Sequence, residues 1–316
     1  MRFSVGIASI RGATLGAAVR SVVAQTFTDF EVIVVGQGDH TTLRATVAAA
    51  AGDDPRVRYE SLPARGLSLA RNRILGLARG EVVAFTDDDC EAPAGWLAAL
   101  ATGFDAHPDV GLVAGPVAAP RLPAFRIATC PSLTVADALY DPVASDRTAP
   151  AGWDWIGANF ALRAQVAARI GAFDPNLGAG TRFGAGEDTD YKLRLEAAGV
   201  RMLTSTAALV RHSGGVRHGL RAALASQRAY ASGNGALAAK QTLGGDPRGA
   251  AWLAATRAEC LAVWSRRPPR AVSALRRYRL FRRAYESCLD GYELADGILS
   301  QRPAPAARVS TPPEMA

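Results

Sequence analysis

A buried strand that ends in three carboxylates limits the folds open to a chain. Residues 80–90 read as one: Gly80-Glu81-Val82-Val83-Ala84-Phe85-Thr86-Asp87-Asp88-Asp89-Cys90. Four apolar residues run from Val82 to Phe85, three of them β-branched or aromatic, and predict a short buried strand. In open α/β sheets, ligands bind beyond the carboxyl ends of the strands, which is where Asp87, Asp88 and Asp89 would be delivered. Adjacent carboxylates repel one another unless water or a cation neutralises them. Their hard oxygens suit Mg2+ or Mn2+, ions that commonly also hold a substrate phosphate. A solvated acidic turn is the plain alternative, and the surrounding sequence must decide.

That surrounding sequence alternates. Residues 3–8 predict a first strand. Leu15 to Thr26 predicts a helix with Leu15, Val19, Val22 and Val23 on one face and Thr14 as N-cap. Phe30 to Val35 reads as a strand, Thr41 to Ala51 as a helix, Val57 to Tyr59 as a short strand, and Leu67 to Leu77 as a helix closed by Gly80. Strands alternating with helices predict a mostly parallel sheet with right-handed crossovers. Trp96 to Phe104 continues as helix and residues 111–115 as strand. Five prolines between Val117 and Ala151 predict a long irregular excursion facing substrate. Trp153 to Leu162 reads as extended, Ala164 to Ile170 as a short helix, and Glu187 to Ala198 as a stronger one with Gly199 at C′. Arg201 to Val210 returns to the sheet.

After His212 the composition changes. Between Arg211 and Arg308 there are 17 basic and 6 acidic residues. The pattern there is helical over 216–300, and the proline-rich residues 301–316 read as disordered. The net charge is +7, nearly all of it arginine, since Lys192 and Lys240 are the only lysines. Such a balance fits phosphorylated substrates, an anionic membrane or nucleic acid. Four scattered cysteines without metal-type spacing predict a reduced, cytoplasmic compartment. The first strand leaves no room for a leader, and no run of about 18 apolar residues predicts a membrane span.

Two further constellations could carry chemistry. Gly184-Ala185-Gly186-Glu187-Asp188-Thr189-Asp190-Tyr191 bends the chain into a helix whose first turn is acidic. Those carboxylates could simply complement the helix dipole, or Glu187 or Asp188 could act as a general base. His212 closes a strand-like run and could be structural or a metal ligand. There is no Walker A sequence, no G-x-S-x-G, no H-E-x-x-H and no dinucleotide fingerprint.

In order, these parts resemble the family 2 glycosyltransferases of GT-A fold. The matching pieces are residues 4–9, residues 21–35, Ala70-Arg71-Asn72, residues 80–89 with Pro93 and Trp96-Leu97, Gly157-Ala158-Asn159, residues 170–174, Gly186-Glu187-Asp188 and His212. The likeness covers about residues 3–215. It implies an α/β, Rossmann-like catalytic domain over 1–215, with a mostly parallel mixed sheet flanked by helices, followed by the helical extension. It implies that Asp87-Asp88-Asp89 is the DxD-type motif, with Asp89 on the divalent cation and Asp88 on the donor ribose. It also implies Asp188 (beside Glu187) as the base, His212 as a metal ligand, Arg71 near the nucleotide, and Gly157 and Asn159 near the donor sugar. Ala8, Ser9, Asp39 and Asp87 complete the implied nucleotide-sugar set.

The chain departs from the family pattern in places. Gly36 and Gln37 stand where an acidic residue usually meets the base, and only Asp39 follows. Ile10-Arg11 replaces a Tyr-Asn pair. The absence of Gln-x-x-Arg-Trp argues against a processive polysaccharide synthase.

The resemblance implies metal-dependent, inverting transfer of one sugar from a nucleotide-diphosphate sugar to an acceptor hydroxyl, in glycan, glycolipid or glycosylated-metabolite synthesis. The rival enzyme is a nucleotidyltransferase, which would want a Gly-rich basic loop after the first strand. The rival without chemistry is a basic protein binding membrane or nucleic acid. Arg276, Arg279 and Arg283 share one helical face opposite Tyr278, Phe281, Tyr285 and Cys288. That helix either packs with a solvated face or docks the chain, and a lipid-linked acceptor, on an anionic membrane.

Overall fold

The computed structural model describes residues 1–121, 128–266 and 268–303. Its first half follows the alternation of the sequence: β1 (Phe3–Ser9), α1 (Gly12–Val23), β2 (Phe30–Gly36), α2 (His40–Ala51), β3 (Val57–Ser61), α3 (Leu67–Leu77) and β4 (Val82–Asp87). These strands pair in parallel in the order β3-β2-β1-β4. β1, β2 and β4 are buried along nearly their whole length. Helices cover both faces of a parallel sheet, so its strands read as unbroken apolar runs. Thr14 is not the N-cap of α1. The helix begins three residues earlier than expected, at Gly12 after Arg11.

The chain continues through α4 (Trp96–Ala106), β5 (Leu112–Ala114), β6 (Val117–Ala118), β7 (Ala128–Thr129), β8 (Ala138–Tyr140), β9 (Asn159–Arg163), α5 (Ala164–Ile170), α6 (Glu187–Ala197), β10 (Met202–Thr204), β11 (Val210–Arg211) and β12 (Arg217–His218). β9 lies antiparallel between β4 and β5, and the sheet runs β3-β2-β1-β4-β9-β5-β10-β8 among the described residues. The expected extended run from Trp153 therefore begins only at Asn159; residues 153–158 form loop and turn. The irregular excursion contains three short strands, because scattered backbone groups there find partners in β10, β11 and β12.

Alternate strand residues feed two cores. On one face Phe3, Val5, Val32, Val34 and Ala84 meet Leu15, Val19, Trp96, Leu100 and Phe104. On the other Ile33, Val35, Val83 and Phe85 meet Ile74, Phe173 and Tyr191. The sequence then adds α7 (Leu220–Leu243), α8 (Arg248–Arg266) and α9 (Pro268–Gly291). The expected all-helical extension ends differently: β13 (Tyr292–Ala295) and β14 (Ile298–Gln301) form an antiparallel hairpin. A third core joins this extension to the chain just before α6, through Leu177, Phe183, Phe281, Tyr285, Cys288, Tyr292 and Leu299. The expected tail over 301–316 lies outside the described residues from 304 onward.

Candidate active site

The site forms where the parallel sheet meets its antiparallel insert. Thr86 of β4 pairs with Asn159 of β9, so the acidic strand end lies beside the turn at Gly157. Asp88 accepts a hydrogen bond from the Ser9 hydroxyl at the end of β1, at 2.6 Å. Burial pushes the Asp88 carboxyl up to about 6; the Ser9 bond opposes this and the charges of Asp89 and Asp87 add to it. Burial also raises Asp87, against the nearby Arg71 charge.

Backbone pairing brings the histidine in. Glu91 and Arg211 exchange N–H to carbonyl bonds at 2.7 and 2.9 Å, and Gly214 N–H donates to the Asp89 carbonyl at 2.9 Å. His212 Nε2 then lies 3.0 Å from Asp89 Oδ1, while Nδ1 donates to the Pro131 carbonyl at 2.8 Å. Burial favours neutral imidazole, yet the hydrogen bond and charge of Asp89 outweigh it and hold His212 above its ordinary range. Burial likewise works against the Asp89 carboxylate, and His212 overcomes it and holds Asp89 below the usual range.

The donor set fits a divalent cation. With its proton fixed on Nδ1 by Pro131, a neutral His212 turns the Nε2 lone pair toward a carboxylate oxygen, an arrangement that needs a proton or a metal ion between them. Ligand atoms of Asp89, Cys90 and His212 lie within 4.8 Å of one another. Burial pushes the Cys90 thiol up, so it stays protonated and is the weakest of the three ligands. Asp89 and His212 are the residues that would hold the ion.

Arg71 connects this end of the site to the other. It is 2% exposed. Its guanidinium donates to the Gly157 carbonyl at 2.8 Å and to Glu187 at 2.9 Å, and lies 3.6 Å from Asp87. α6 starts after Gly186, whose φ of +96° is the left-handed turn that favours glycine. This start leaves the two acidic residues in different settings. Glu187 is buried against Arg71, and burial first, then the charge of Asp188, pushes its carboxyl up to about 7. Asp188 is partly exposed and accepts N–H bonds from Gly157 at 2.9 Å and from Thr189 at 2.7 Å.

Other residues read from the sequence have protein partners. Asn159 is fully buried; its carbonyl accepts from the Trp96 indole and its amide donates to the Pro116 and Ala208 carbonyls. Asp39 caps α2, accepting from Thr41 and Thr42. Ala8 lies at the end of β1, opposite Asp87. Gln37 is buried and ties down the Ala64 and Gly66 carbonyls. Two residues near the site had no sequence signal as members of it. The charge of Arg11 acts on Asp88 and Asp89. Tyr230 of α7 lies near enough to Asp188, Glu187 and Arg217 to feel their charges. Helical periodicity gave no reason to bring the extension here.

Residues 7–127 match the family model described as "Glycosyl transferase family 2". Over 99 residues the chain is 31% identical to a glucosyl-dolichyl phosphate glucuronosyltransferase of Haloferax volcanii, covering 31% of this chain and 32% of that protein. That match spans about a third of the curated relative's length. Among solved structures, S. aureus TarS 1–349 in complex with UDP-GlcNAc superposes with a TM-score of 0.59 at 16% identity, covering 96% of this chain and 97% of that one. The mannosyltransferase PcManGT from Pyrobaculum calidifontis in complex with GDP-Man and Mn2+ superposes with a TM-score of 0.57 at 18% identity, covering 90% and 86%. At such identities the likeness is one of fold, the GT-A arrangement. The likeness to glycosyl transferase family 2 thus lies in residues 7–127, the part of the chain that carries β1 to β6 and the acidic strand end.

Proposed function

We propose that this chain transfers a single sugar from a nucleoside-diphosphate sugar to an acceptor hydroxyl, with inversion at the anomeric carbon. The observation that carries the reading is the Arg71 bridge, which ties the acidic strand end at Asp87 to the turn and helix start that hold Asp188. One site thus combines a cation-binding end with a carboxylate that can take a proton.

Asp188 is the base. The Gly157 and Thr189 N–H groups fix its orientation in the first turn of α6. As the acceptor oxygen bonds to the anomeric carbon, the bond from that carbon to the diphosphate oxygen breaks. The electron pair leaves with the diphosphate and the acceptor proton passes to Asp188. Asp89 and His212 would hold the divalent cation, Mn2+ or Mg2+, which when bound offsets the charge gathering on the diphosphate. Ser9 orients Asp88, which faces the donor ribose in this reading. Arg71 and Glu187 keep the two halves in register from beneath.

The donor class is supported by the GDP-Man and UDP-GlcNAc complexes of the two similar structures. A lipid-linked acceptor is supported by the name of the Haloferax relative, a glucosyl-dolichyl phosphate glucuronosyltransferase. The test is a panel of nucleotide-sugars incubated with Mn2+ or Mg2+, reading the nucleotide released. Nucleoside diphosphate is expected from one donor class, with Asp188→Asn slowing its release. No nucleoside diphosphate from any donor, together with pyrophosphate release from a nucleoside triphosphate and a sugar 1-phosphate, would overturn the reading in favour of nucleotidyl transfer.

A further inference from the structure

α8 and α9 form a helical hairpin that exposes three large apolar side chains toward its far end. Leu261 and Trp264, one helical turn apart on α8, are 61% and 60% exposed, and Val272 near the start of α9 is 75% exposed. Trp264 lies two residues from the end of α8 and Val272 four residues into α9. At about 1.5 Å per residue, all three fall near the connecting turn. Single exposed apolar residues are ordinary; a group that includes a tryptophan at one end of a hairpin is not.

The stem behind this tip is basic in a specific way. Val272, Arg276, Arg279 and Arg283 recur at helical spacing and form one exposed stripe. Their neighbours are neutralised: Arg277 pairs with Glu259 of α8 at 2.5 Å, and Arg282 with Glu286 at 2.9 Å. Arg276, Arg279 and Arg283 have no carboxylate within ion-pair distance among the described residues. The opposite face, with Phe281, Tyr285 and Cys288, is already buried in the third core. On α8, Arg257 leads into Leu261 and Trp264 at the same spacing.

We propose that this hairpin docks on an anionic phospholipid bilayer, with Leu261, Trp264 and Val272 entering the headgroup boundary and Arg276, Arg279 and Arg283 meeting lipid phosphates. Exposed apolar side chains that include a tryptophan, on helices that also expose unpaired cations, are what an interfacial element presents to a membrane. A second copy of the chain is a poor occupant, because the same stripe would bring like charges together. Nucleic acid would pair with the arginines and leave the apolar tip in water. No helix among the described residues is long and apolar enough to cross a membrane. The docking contact does not depend on the chemistry of the active site.

The test is co-sedimentation of the full chain with vesicles of phosphatidylcholine alone or mixed equally with phosphatidylglycerol, without donor or acceptor. The chain is expected to bind the anionic vesicles and to release in high salt. Arg276→Gln with Arg279→Gln and Arg283→Gln should lower partitioning on the order of a hundredfold, at roughly fivefold per arginine. Leu261→Ser with Trp264→Ser should lower it about tenfold. Both sets lie on exposed positions, and an unchanged melting temperature checks that they fold. Equal partitioning to both vesicle types, or no loss in either variant, overturns the proposal. So does a concentration-dependent dimer that Trp264→Ser dissolves in the absence of vesicle binding. So does salt-sensitive duplex DNA binding in its place. Each of those outcomes leaves sugar transfer standing.

Discussion

Adjacent carboxylates at the start of α6 have opposite surroundings, and this separates their roles. Glu187 is 7% exposed with its oxygen on Arg71, whereas Asp188 is partly open and held by two N–H groups. Asp188→Asn should lower turnover by about a hundredfold or more while donor binding survives. Glu187→Gln should act through the fold, weakening the tie to buried Arg71 and costing about 1–3 kcal/mol in urea unfolding. If Glu187→Gln were stable but inactive and Asp188→Asn active, the base would be Glu187. At this scale the sequence pointed to residues that the structure brings close together, Asp87–Asp89, Asp188 and His212, but residue type alone left each with a purely structural reading. It was illegible for Arg71 and Asn159. A long polar side chain declares nothing about whether it will meet ligand or be enclosed by Gly157, Glu187, Trp96 and Pro116 carbonyl or charged groups.

Between elements, the extension is fastened to the site itself. Gly233 of α7 lies against the loop before α6; an added Cβ would sit 2.4 Å from the Ala185 carbonyl oxygen. Lys240, 3% exposed, lies 2.7 Å from both Asp174 and Asp190, each fully buried. Asp174 also accepts from the Leu299 N–H of the terminal hairpin at 2.8 Å. One lysine thus joins α7, α6 and the loop after α5. Lys240→Met would leave buried Asp174 without its cation and Asp190 with Arg194 alone, and should cost about 3–5 kcal/mol. Because Asp190 is two residues from Asp188, turnover should fall further than the unfolded fraction accounts for; activity that tracks the folded fraction alone would contradict this coupling. Neither contact could be read from the chain. Helical periodicity identified α9 as amphipathic, yet the partner of a buried face is a tertiary fact. The hairpin Tyr292–Gln301 was missed because two four-residue strands around Asp296-Gly297 are shorter than the window over which alternation is visible.

Across the whole molecule, alternating strands and helices fixed the parallel half of the sheet, because buried parallel strands leave continuous apolar runs in the sequence. The antiparallel insertion of β9 between β4 and β5 left no such mark. Periodicity reports which residues of a strand are buried and says nothing of its direction. Yet that insertion sets Gly157 beside Asp87 and so creates the site. The central claim is that Asp89 and His212 load a divalent cation that secures a nucleoside diphosphate beside Asp188. Its most direct test is the melting temperature of the wild-type chain and of Asp89→Ala with UDP or GDP, in Mn2+ and in chelator. The account predicts a rise of about 5 °C with one of the two diphosphates and Mn2+ in the wild type, and none in chelator or in Asp89→Ala. An equal rise in chelator, or in Asp89→Ala, would contradict it.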